Sequence, residues 1–333
     1  MVRKSWASLW INSLTHSVTA LARSGIKRGI RDATRATLPD KRRARATPGD
    51  WLPGLAVGPT GSRRYRLYRP PGLKRGETVP LLVMLHGCRQ DAKGFAASTR
   101  MNHVAARERF LVLYPEQDRI SNAQGCWNWY DTKSGRAYGE AALIMTAVDQ
   151  VSLLYQVDRA RIAVAGLSAG ASMAALLASR YADRFKAVVM HSGVPPGTAH
   201  STLTALGAMR GRRVSTPLAE TRSGVAQALP PLLVIQGGTD TLVSAANGRA
   251  SAALWADAAD AHEGKSRVVK RGKRYAMTVS DFKRRGSTVA TLVAIEQLGH
   301  AWSGGANGIA FSDAKGPDAS RMAWAFAAKQ FGI

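Results

Sequence analysis

Short apolar runs alternate with longer amphipathic segments from about residue 62 to the end of the chain. Short apolar runs between turn residues are typical of buried strands, whereas apolar residues with a period near 3.6 indicate helices. The pattern predicts an edge strand at 65–69, buried strands at 81–85, 110–114, 161–165, 186–190, 232–235 and 289–295, and helices at 104–109, 141–155, 171–180 and 319–329.

Strands that are apolar on both faces and alternate with helices favour a mostly parallel sheet that is covered by helices on both sides. The fold class predicted from the pattern is therefore α/β. In open sheets of this kind, ligands bind beyond the carboxyl ends of the strands. We accordingly expect the chemistry of this chain at those strand ends, within one domain that covers 51–333 and follows an extension at 1–50.

The extension has a different pattern, and its apolar residues recur at helical spacing: Trp6, Trp10, Leu14, Val18 and Leu21. This predicts an amphipathic helix, and basic residues follow it from Arg23 onward. Three interpretations stay open: residues 5–31 bind a polyester granule or a lipid surface, the helix docks on the protein itself, or residues 1–22 are a cleaved secretory signal. The first two favour a cytoplasmic or granule-associated protein, and the third a secreted one. Prolines and a glycine mark the expected linker: Pro39, Pro48, Gly49 and Pro53.

Composition excludes several classes of protein. The chain has 333 residues, of which 45% are hydrophobic, so global disorder is excluded. Two cysteines cannot build a multiply bridged scaffold or a four-cysteine zinc site. No apolar run is long enough to predict a membrane-spanning helix.

The net charge is +25, from 47 Lys and Arg against 22 Asp and Glu. Such a surplus favours an anionic partner or surface, or only solubility. Much of it lies at 1–50 and at 265–285, outside the segments that carry candidate chemistry. The basic segments have few aromatic residues to stack on bases, so nucleic acid is not an expected partner.

The segment Gly166-Leu167-Ser168-Ala169-Gly170 matches G-x-S-x-G between a predicted strand and a predicted helix. A sharp strand-to-helix turn of this kind needs glycines because side chains would collide there, and it lifts a serine hydroxyl above the sheet. Ser168 is therefore the candidate nucleophile. The alternative is a serine that caps a helix after an ordinary glycine turn.

A serine nucleophile needs a base, and the order expected in this kind of fold is serine, acid, histidine. His300 follows the strand at 289–295 and is the predicted base, whereas His262 lies in a helix-like stretch. Asp240 follows the strand at 232–235 and is the predicted acid. Asp257 and Asp260 have the spacing of solvated helix residues.

An oxyanion hole needs backbone N–H groups directed at the developing negative charge. We expect one from Ala169, directly after the nucleophile, and one from Cys88, in the loop after the strand at 81–85. His86 and His191, each at a strand end, are interpreted as structural hydrogen-bonding residues.

Five motifs carry a resemblance to a known family: LHGC, CWNW at 126–129, GLSAG, GGTDTLVSAANG and LGHAWSGG. In this order they resemble the polyhydroxybutyrate (PHB) depolymerase family of esterases, which is related to feruloyl and acetylxylan esterases. The resemblance implies an α/β-hydrolase fold and hydrolysis of carboxylic esters without metal or cofactor. It assigns the nucleophile, acid and base to Ser168, Asp240 and His300, and it implies a disulfide from Cys88 to Cys126. The implied substrates are poly(3-hydroxybutyrate)-type polyester, its oligomers and short acyl esters.

Several alternatives remain at this stage. The two cysteines are also consistent with separate buried thiols. The predicted walls of the substrate groove are Trp127, Trp129 and Trp302, and each could instead belong to the core. An esterase of plant polysaccharide would use the same triad. A protein of another class would be an idle hydrolase fold that binds nucleic acid or an anionic surface.

Overall fold

The computed structural model describes residues 49–74, 76–216 and 228–333. The amphipathic helix, the signal segment and the surface-binding segment predicted within 1–48 lie outside these residues. The boundary predicted at residue 50 therefore stays a prediction. Among the described helices, none is long and apolar enough to cross a membrane.

The described chain contains thirteen strands. They are β1 (Asp50–Gly58), β2 (Gly61–Arg69), β3 (Val79–Leu85), β4 (Leu111–Pro115), β5 (Val157–Leu167), β6 (Ala187–His191), β7 (Leu232–Gly237), β8 (His262–Glu263), β9 (Arg267–Val269), β10 (Met277–Arg284), β11 (Ser287–Ile295), β12 (Trp302–Ser303) and β13 (Ser312–Asp313).

The described α-helices alternate with these strands. They are α1 (Ala92–Thr99), α2 (Met101–Glu108), α3 (Arg136–Leu154), α4 (Ala169–Arg180), α5 (Thr202–Met209), α6 (Ala245–Ala258) and α7 (Ala319–Phe331), with one turn of 3-10 helix at Ala182–Arg184.

Eleven of the described strands form one sheet in the order β1-β2-β4-β3-β5-β6-β7-β11-β10-β8, with β9 also paired to β10. Neighbours from β4 to β11 are parallel, and the strands at both ends are antiparallel. This order confirms the predicted mostly parallel sheet. It also places β5, which leads to Ser168, in the middle of the sheet.

The sheet has one hydrophobic core on each face. Successive side chains of a central strand pack into these two cores alternately, because successive residues of a strand point to opposite faces. In β3, Leu81, Val83 and Leu85 belong to one buried cluster, whereas Leu82 and Met84 belong to the other. Helices α3, α4 and α6 cover the first face, and α1, α2 and α7 cover the second. Every residue of β3 is buried, as expected for a strand covered on both sides.

Strands β1 and β10 are not among the strands predicted from the sequence. Pro53 was assigned to the linker but lies within β1, where it is tolerated because β1 is an edge strand. The basic segment at 265–285 contains β10, in which Met277, Val279, Ser280 and Phe282 are buried and the register shifts between Phe282 and Lys283. Because two adjacent residues are buried and the strand ends in Lys283 and Arg284, it has no regular period of two that the sequence would show.

The end of β3 lies against the start of α4 at Gly170. A Cβ atom there would lie 2.1 Å from the carbonyl oxygen of Leu85 and 2.5 Å from that of His86. Since both obstacles are backbone atoms at the centre of the sheet, they cannot move aside cheaply.

We expect Gly170→Ala to lower the free energy of unfolding by about 3 kcal/mol, because the new methyl group overpacks this contact. Gly264→Ala is the matched control, since its Cβ would lie 3.4 Å from the nearest atom, the Asp281 oxygen. Urea unfolding of both variants measures the difference. Equal stability of the two would show that α4 can move away from β3.

Candidate active site

Ser168 occupies the tight turn between β5 and α4, with φ 56° and ψ −121°. Left-handed φ values are strained for residues with side chains and persist only where the surroundings enforce them. Here a Cβ atom on Gly166 would lie 2.3 Å from the backbone of Gly170, so the turn closes only with glycines at both positions. The Ser168 N–H group donates to the carbonyl oxygen of His191 over 2.8 Å, which fixes the turn to β6.

Asp240 and His300 are brought together by two neighbouring parallel strands, β7 and β11. Their end turns interlock: Thr239 N–H donates to the Leu298 carbonyl over 3.1 Å, and a Cβ on Gly237 would lie 2.3 Å from the same oxygen. His300 Nδ1 and Asp240 Oδ2 are 2.8 Å apart. The predicted acid and base are therefore in direct contact at the rim of the sheet.

The Asp240 carboxylate is held in its charged form by its surroundings. Burial alone would raise its pKa, but the hydrogen bond and charge of His300 and the N–H groups of Val243 and Leu242 outweigh burial and lower it. Oδ1 accepts from Leu242 N over 2.9 Å and from Val243 N over 2.8 Å. Since an ionised carboxylate only accepts, His300 Nδ1 donates to it, and Nε2 is left to act on a proton.

His191 connects the nucleophile turn to the loop of His300. Its carbonyl receives the Ser168 N–H group, and its ring Nε2 accepts from the backbone N–H of Ser303 over 3.1 Å. The ring is fully buried and stacks on Trp302 with 5.1 Å between centroids. Burial, followed by the charge of His300, lowers the His191 pKa to about 3, so the ring stays neutral. His191 thus has the structural role expected from the sequence.

The Ser168 hydroxyl forms no hydrogen bond with any residue in the described ranges, so the structure does not join it to His300. Catalytic hydrogen bonds of this kind are often long before substrate binds. The assignment of Ser168 as nucleophile therefore depends on its turn and on the connection through His191.

The candidate oxyanion donors lie next to the nucleophile. A Cβ on Gly87 would lie 3.6 Å from the Ser168 Cβ, so the loop after β3 touches the nucleophile turn. Within the ranges that the structure describes, neither Cys88 N–H nor Ala169 N–H has an acceptor. Both groups are therefore available to a ligand at Ser168.

The disulfide implied by the family resemblance is confirmed: Cys88 and Cys126 are bonded, with 4.2 Å between their Cα atoms. The neighbouring Arg89 N–H donates to the Gln124 carbonyl over 2.8 Å. The loop that carries Cys88 is thus tied to the segment after β4 by one covalent bond and one hydrogen bond.

A buried network of polar side chains holds these two loops against helix α3. Glu140 of α3 accepts from Asn128 N over 2.9 Å, from Asn128 Nδ2 over 2.6 Å and from Gln117 Nε2 over 2.7 Å. Gln117 Oε1 accepts from the Arg63 guanidinium, whose pKa is lowered by burial although Glu140 and Asp118 oppose the shift. Glu140, Asn128 and Arg63 are each less than 5% exposed.

His86 joins this network to the oxyanion loop. Its Nε2 accepts from Gln117 N–H over 3.0 Å, so the ring proton is on Nδ1, which donates to the Gly87 carbonyl over 2.8 Å. Burial lowers its pKa to about 4 and keeps it neutral. Like His191, it is the structural residue that the sequence analysis expected.

Two of the three tryptophans predicted to form walls of the substrate groove do not do so. Trp127 and Trp302 are fully buried. Trp127 Nε1 donates to the His86 carbonyl over 3.0 Å, and Trp302 Nε1 donates to Ser320 Oγ over 3.0 Å. A tryptophan with its apolar ring in the core needs a partner for its N–H group, and both have one. Trp129 differs, because it lines a cavity of about 250 Å³ beside α4.

The network around Glu140 was missed from the sequence. A signal was present, since Glu140 shares a helix face with Ala137, Ile144 and Val151, all of which are fully buried. An acidic residue on an apolar helix face indicates a buried, paired carboxylate. Its partners Gln117 and Asn128 lie outside helices and strands. No periodic pattern of apolar residues therefore indicates their burial.

Comparison with known proteins gives a consistent result. The family model described as "Esterase PHB depolymerase" matches residues 63–267, more than half of the chain. Poly(3-hydroxyalkanoate) depolymerase C of Paucimonas lemoignei is 33% identical over 51% of this chain and 42% of its own length. Feruloyl esterase B of Neurospora crassa is 32% identical over 41% of this chain and 45% of its own.

Among solved structures, an acetyl xylan esterase from Aspergillus awamori superposes with a TM-score of 0.62. It is 20% identical, and the match covers 76% of this chain and 94% of that one. This likeness shows the fold, which is that of the α/β hydrolases. The chain spans about half the length of the curated relatives it matches.

We expect Glu140→Gln to destabilise the protein by about 2 kcal/mol, because its NH2 group would face either the Asn128 backbone N–H or the Gln117 and Asn128 side-chain amides, donor against donor. Asp149→Asn is the matched control, since Asp149 lies on the same helix in a half-exposed ion pair with Arg184. Thermal unfolding followed by circular dichroism compares the two. A smaller loss for Glu140→Gln than for Asp149→Asn would contradict the role given to the network.

We also expect stability to fall as the pH drops from about 6.5 to about 4. Unfolded histidines bind a proton near pH 6.5, whereas native His86 does so only near its pKa of about 4, so acid favours the unfolded state. The loss from His86 amounts to about 3 kcal/mol at the acid end. In urea titrations from pH 7 to pH 4.5, His86→Gln should flatten this dependence, and His262→Gln, at an exposed site, should leave it unchanged. The same slope in all three proteins would contradict this assignment.

Proposed function

The chain belongs to the PHB depolymerase family of esterases, and we propose that it is a serine carboxylic-ester hydrolase acting on poly(3-hydroxybutyrate)-type polyester, its oligomers and short acyl esters. The observation that carries this proposal is the contact of 2.8 Å between His300 Nδ1 and Asp240 Oδ2 beside the strained turn of Ser168. The poly(3-hydroxyalkanoate) depolymerase among the relatives supports the choice of polyester.

In the first step, His300 Nε2 removes the proton of the Ser168 hydroxyl as its oxygen attacks the ester carbonyl. Asp240 stabilises the imidazolium that forms and holds the ring in the correct tautomer. The hydrogen bond and charge of His300, followed by the N–H groups of Val243 and Leu242, outweigh burial and lower the Asp240 pKa, so the carboxylate stays charged and does not take the proton itself.

The carbonyl oxygen becomes an oxyanion in the tetrahedral intermediate. The free N–H groups of Cys88 and Ala169 are proposed to bind it. Since the loop of Cys88 is tied by the disulfide and by the network around Glu140, these donors need little reorganisation as the charge develops. Preorganised donors of this kind supply a large part of the rate enhancement in acyl transfer.

Collapse of the intermediate breaks the bond to the alcohol oxygen, which leaves with the proton carried by His300. An acyl group then remains on the Ser168 oxygen. Water attacks this acyl-enzyme with His300 again as base, and the second collapse returns the proton to Ser168 and releases the acid. The cycle consumes one water and needs no other reactant.

A feruloyl or acetylxylan esterase is the second candidate. Feruloyl esterase B and acetylxylan esterase A are among the relatives, and the same triad would serve either ester. Release of ferulate or acetate from xylan, without hydroxybutyrate from amorphous polyester, would decide for it.

The contact between His300 and Asp240, at the strand ends expected for an acid and a base, supports catalysis over an idle fold. Attachment to a granule or lipid surface through residues 5–31 remains part of the proposal. Equal binding of the full chain and a version lacking residues 1–50 to amorphous granules would argue against it.

We expect Ser168→Ala to lower turnover of p-nitrophenyl butyrate by at least about 10⁴-fold, because the nucleophile is lost while the fold is kept. Ser121→Ala, at an exposed loop position, should keep the wild-type rate. Steady-state kinetics and circular dichroism on the same preparations measure both properties. Wild-type turnover in folded Ser168→Ala would refute the proposal.

A further inference from the structure

A cavity of about 250 Å³ lies beside α4 and has no role in the steps above. We propose that it binds the acyl part of the ester, and that Thr132 and His200 in its wall select acyl chains with a hydrogen-bonding oxygen beyond the carbonyl, such as a 3-hydroxyacyl group. This proposal rests on the proposed function of Ser168.

The cavity begins one helical turn from the nucleophile. Ser172 and Leu176 of α4 line it. Residues four apart lie on one face of a helix, so Ser172 and Leu176 share a face of α4, and Ser168 is the N-cap residue of this helix. Ser172 Oγ is 3.4 Å from the Ser168 carbonyl oxygen.

Further walls of the cavity come from two loops. Trp129 and Thr132 lie in the segment after β4, just after Cys126 of the disulfide, and Pro196 and His200 lie in the loop after β6. The cavity is therefore built from the carboxyl ends of parallel strands around β5. This is the side of such a sheet on which ligands bind.

The cavity faces the acyl side of the ester rather than the alcohol side. His300 must reach the alcohol oxygen to protonate it, so the alcohol lies against the loop of His300. Of the described residues that line the cavity, none belongs to the loop at 296–304. The part of the substrate away from His300 is the acyl chain.

The lining has the chemistry of a small acyl site. Trp129, Tyr138, Leu176 and Pro196 offer apolar or aromatic surface. The volume is below the range of about 300–1,000 Å³ typical of drug-sized ligands, which suits a single short unit. An acetyl group would leave most of it empty.

Its polar groups are not all available to a ligand. Ser172 Oγ accepts from Val194 N over 2.8 Å and points back to the Ser168 carbonyl, and Thr216 Oγ1 donates to the Gly197 carbonyl over 2.9 Å. Thr132 Oγ1 and His200 Nδ1 are 3.1 Å apart and bond to each other.

A hydroxyl has one donor and two acceptor positions, and an imidazole has two ring nitrogens, so this pair keeps capacity for one more oxygen. An acyl chain without that oxygen would displace water from this part-buried pair and leave its remaining hydrogen-bonding capacity unused. A site built to bond a hydroxyl discriminates against the analogue that lacks it. Thr132 and His200 are therefore assigned as the residues that determine specificity.

The test compares two esters of one alcohol, methyl butyrate and methyl 3-hydroxybutyrate, which differ by a single hydroxyl. We expect kcat/KM to favour the hydroxy ester by about tenfold, as for one hydrogen bond. Thr132→Val and His200→Leu should bring this ratio close to one. Thr288→Val, a like substitution in β11, is the control and should keep the wild-type ratio. Titration of base in a pH-stat follows all reactions.

A second measurement does not depend on catalysis. The anions of 3-hydroxybutyrate and butyrate are titrated into folded Ser168→Ala by calorimetry, with and without Thr132→Val. The proposal expects the hydroxy acid to bind about tenfold more tightly, and Thr132→Val to remove that difference. If Ser168 proves not to be the nucleophile, this experiment still decides what the cavity binds.

Three results would overturn the proposal. Equal affinity of Ser168→Ala for the two anions, or a ratio of kcat/KM that Thr132→Val and His200→Leu leave at its wild-type value, would exclude recognition by this pair. Preference for methyl ferulate over both butyrates would assign the cavity to an aromatic acyl group instead.

Discussion

The close approach of helix α4 to the end of strand β3 is the constraint on which the site depends. It is possible only because Gly170 has no side chain, since a Cβ there would lie 2.1 Å from the Leu85 carbonyl oxygen. The approach brings the loop of Cys88 against the turn of Ser168, which joins the candidate nucleophile to its oxyanion donors. It also fixes the left-handed backbone of Ser168, a strain of the order of 1–3 kcal/mol that the surrounding sheet must offset.

The buried network around Glu140 contributes defined geometry rather than net stability. Burying the charges of Arg63 and Glu140 is costly unless hydrogen bonds satisfy them. Here Gln117 bonds to both, whereas the buried Arg63 Nε has no hydrogen-bond partner among the described residues. Arg63 also lies over the ring of Trp127, with 5.5 Å from its guanidinium carbon to the ring centroid. Such a network adds little net stability compared with an apolar core, but it allows one arrangement of the loops. Defined geometry, rather than stability, is what an oxyanion site needs.

The sequence predicts the architecture well, because strand burial and helix amphipathicity both leave a period in the chain. It also identifies Asp240 and His300, since strand ends of a parallel sheet meet at one edge. What it does not predict are contacts that depend on side-chain direction. Trp127 and Trp302 lie within one or a few residues of the site in sequence but point into the core, where their N–H groups bond to His86 and Ser320. Sequence position alone cannot distinguish such a ring from one that faces a substrate.

The basic residues at 265–285 lie in a different part of the sheet from the candidate active site. Most basic side chains at 265–285 are exposed, on β9 and β10 and in the loops beside them, at one end of the sheet order, whereas Ser168 follows the central strand β5. The strands β8 and β9 leave backbone groups unpaired at this edge, and lysine or arginine on an edge strand discourages another strand from adding to it. Arg267 is also paired with Asp281 over 2.6 Å, so part of this charge is compensated locally. Among the described residues, the basic segment therefore lies at a sheet edge away from the strand that leads to Ser168, and the acyl site proposed beside α4 has no lysine, arginine, aspartate or glutamate in its lining.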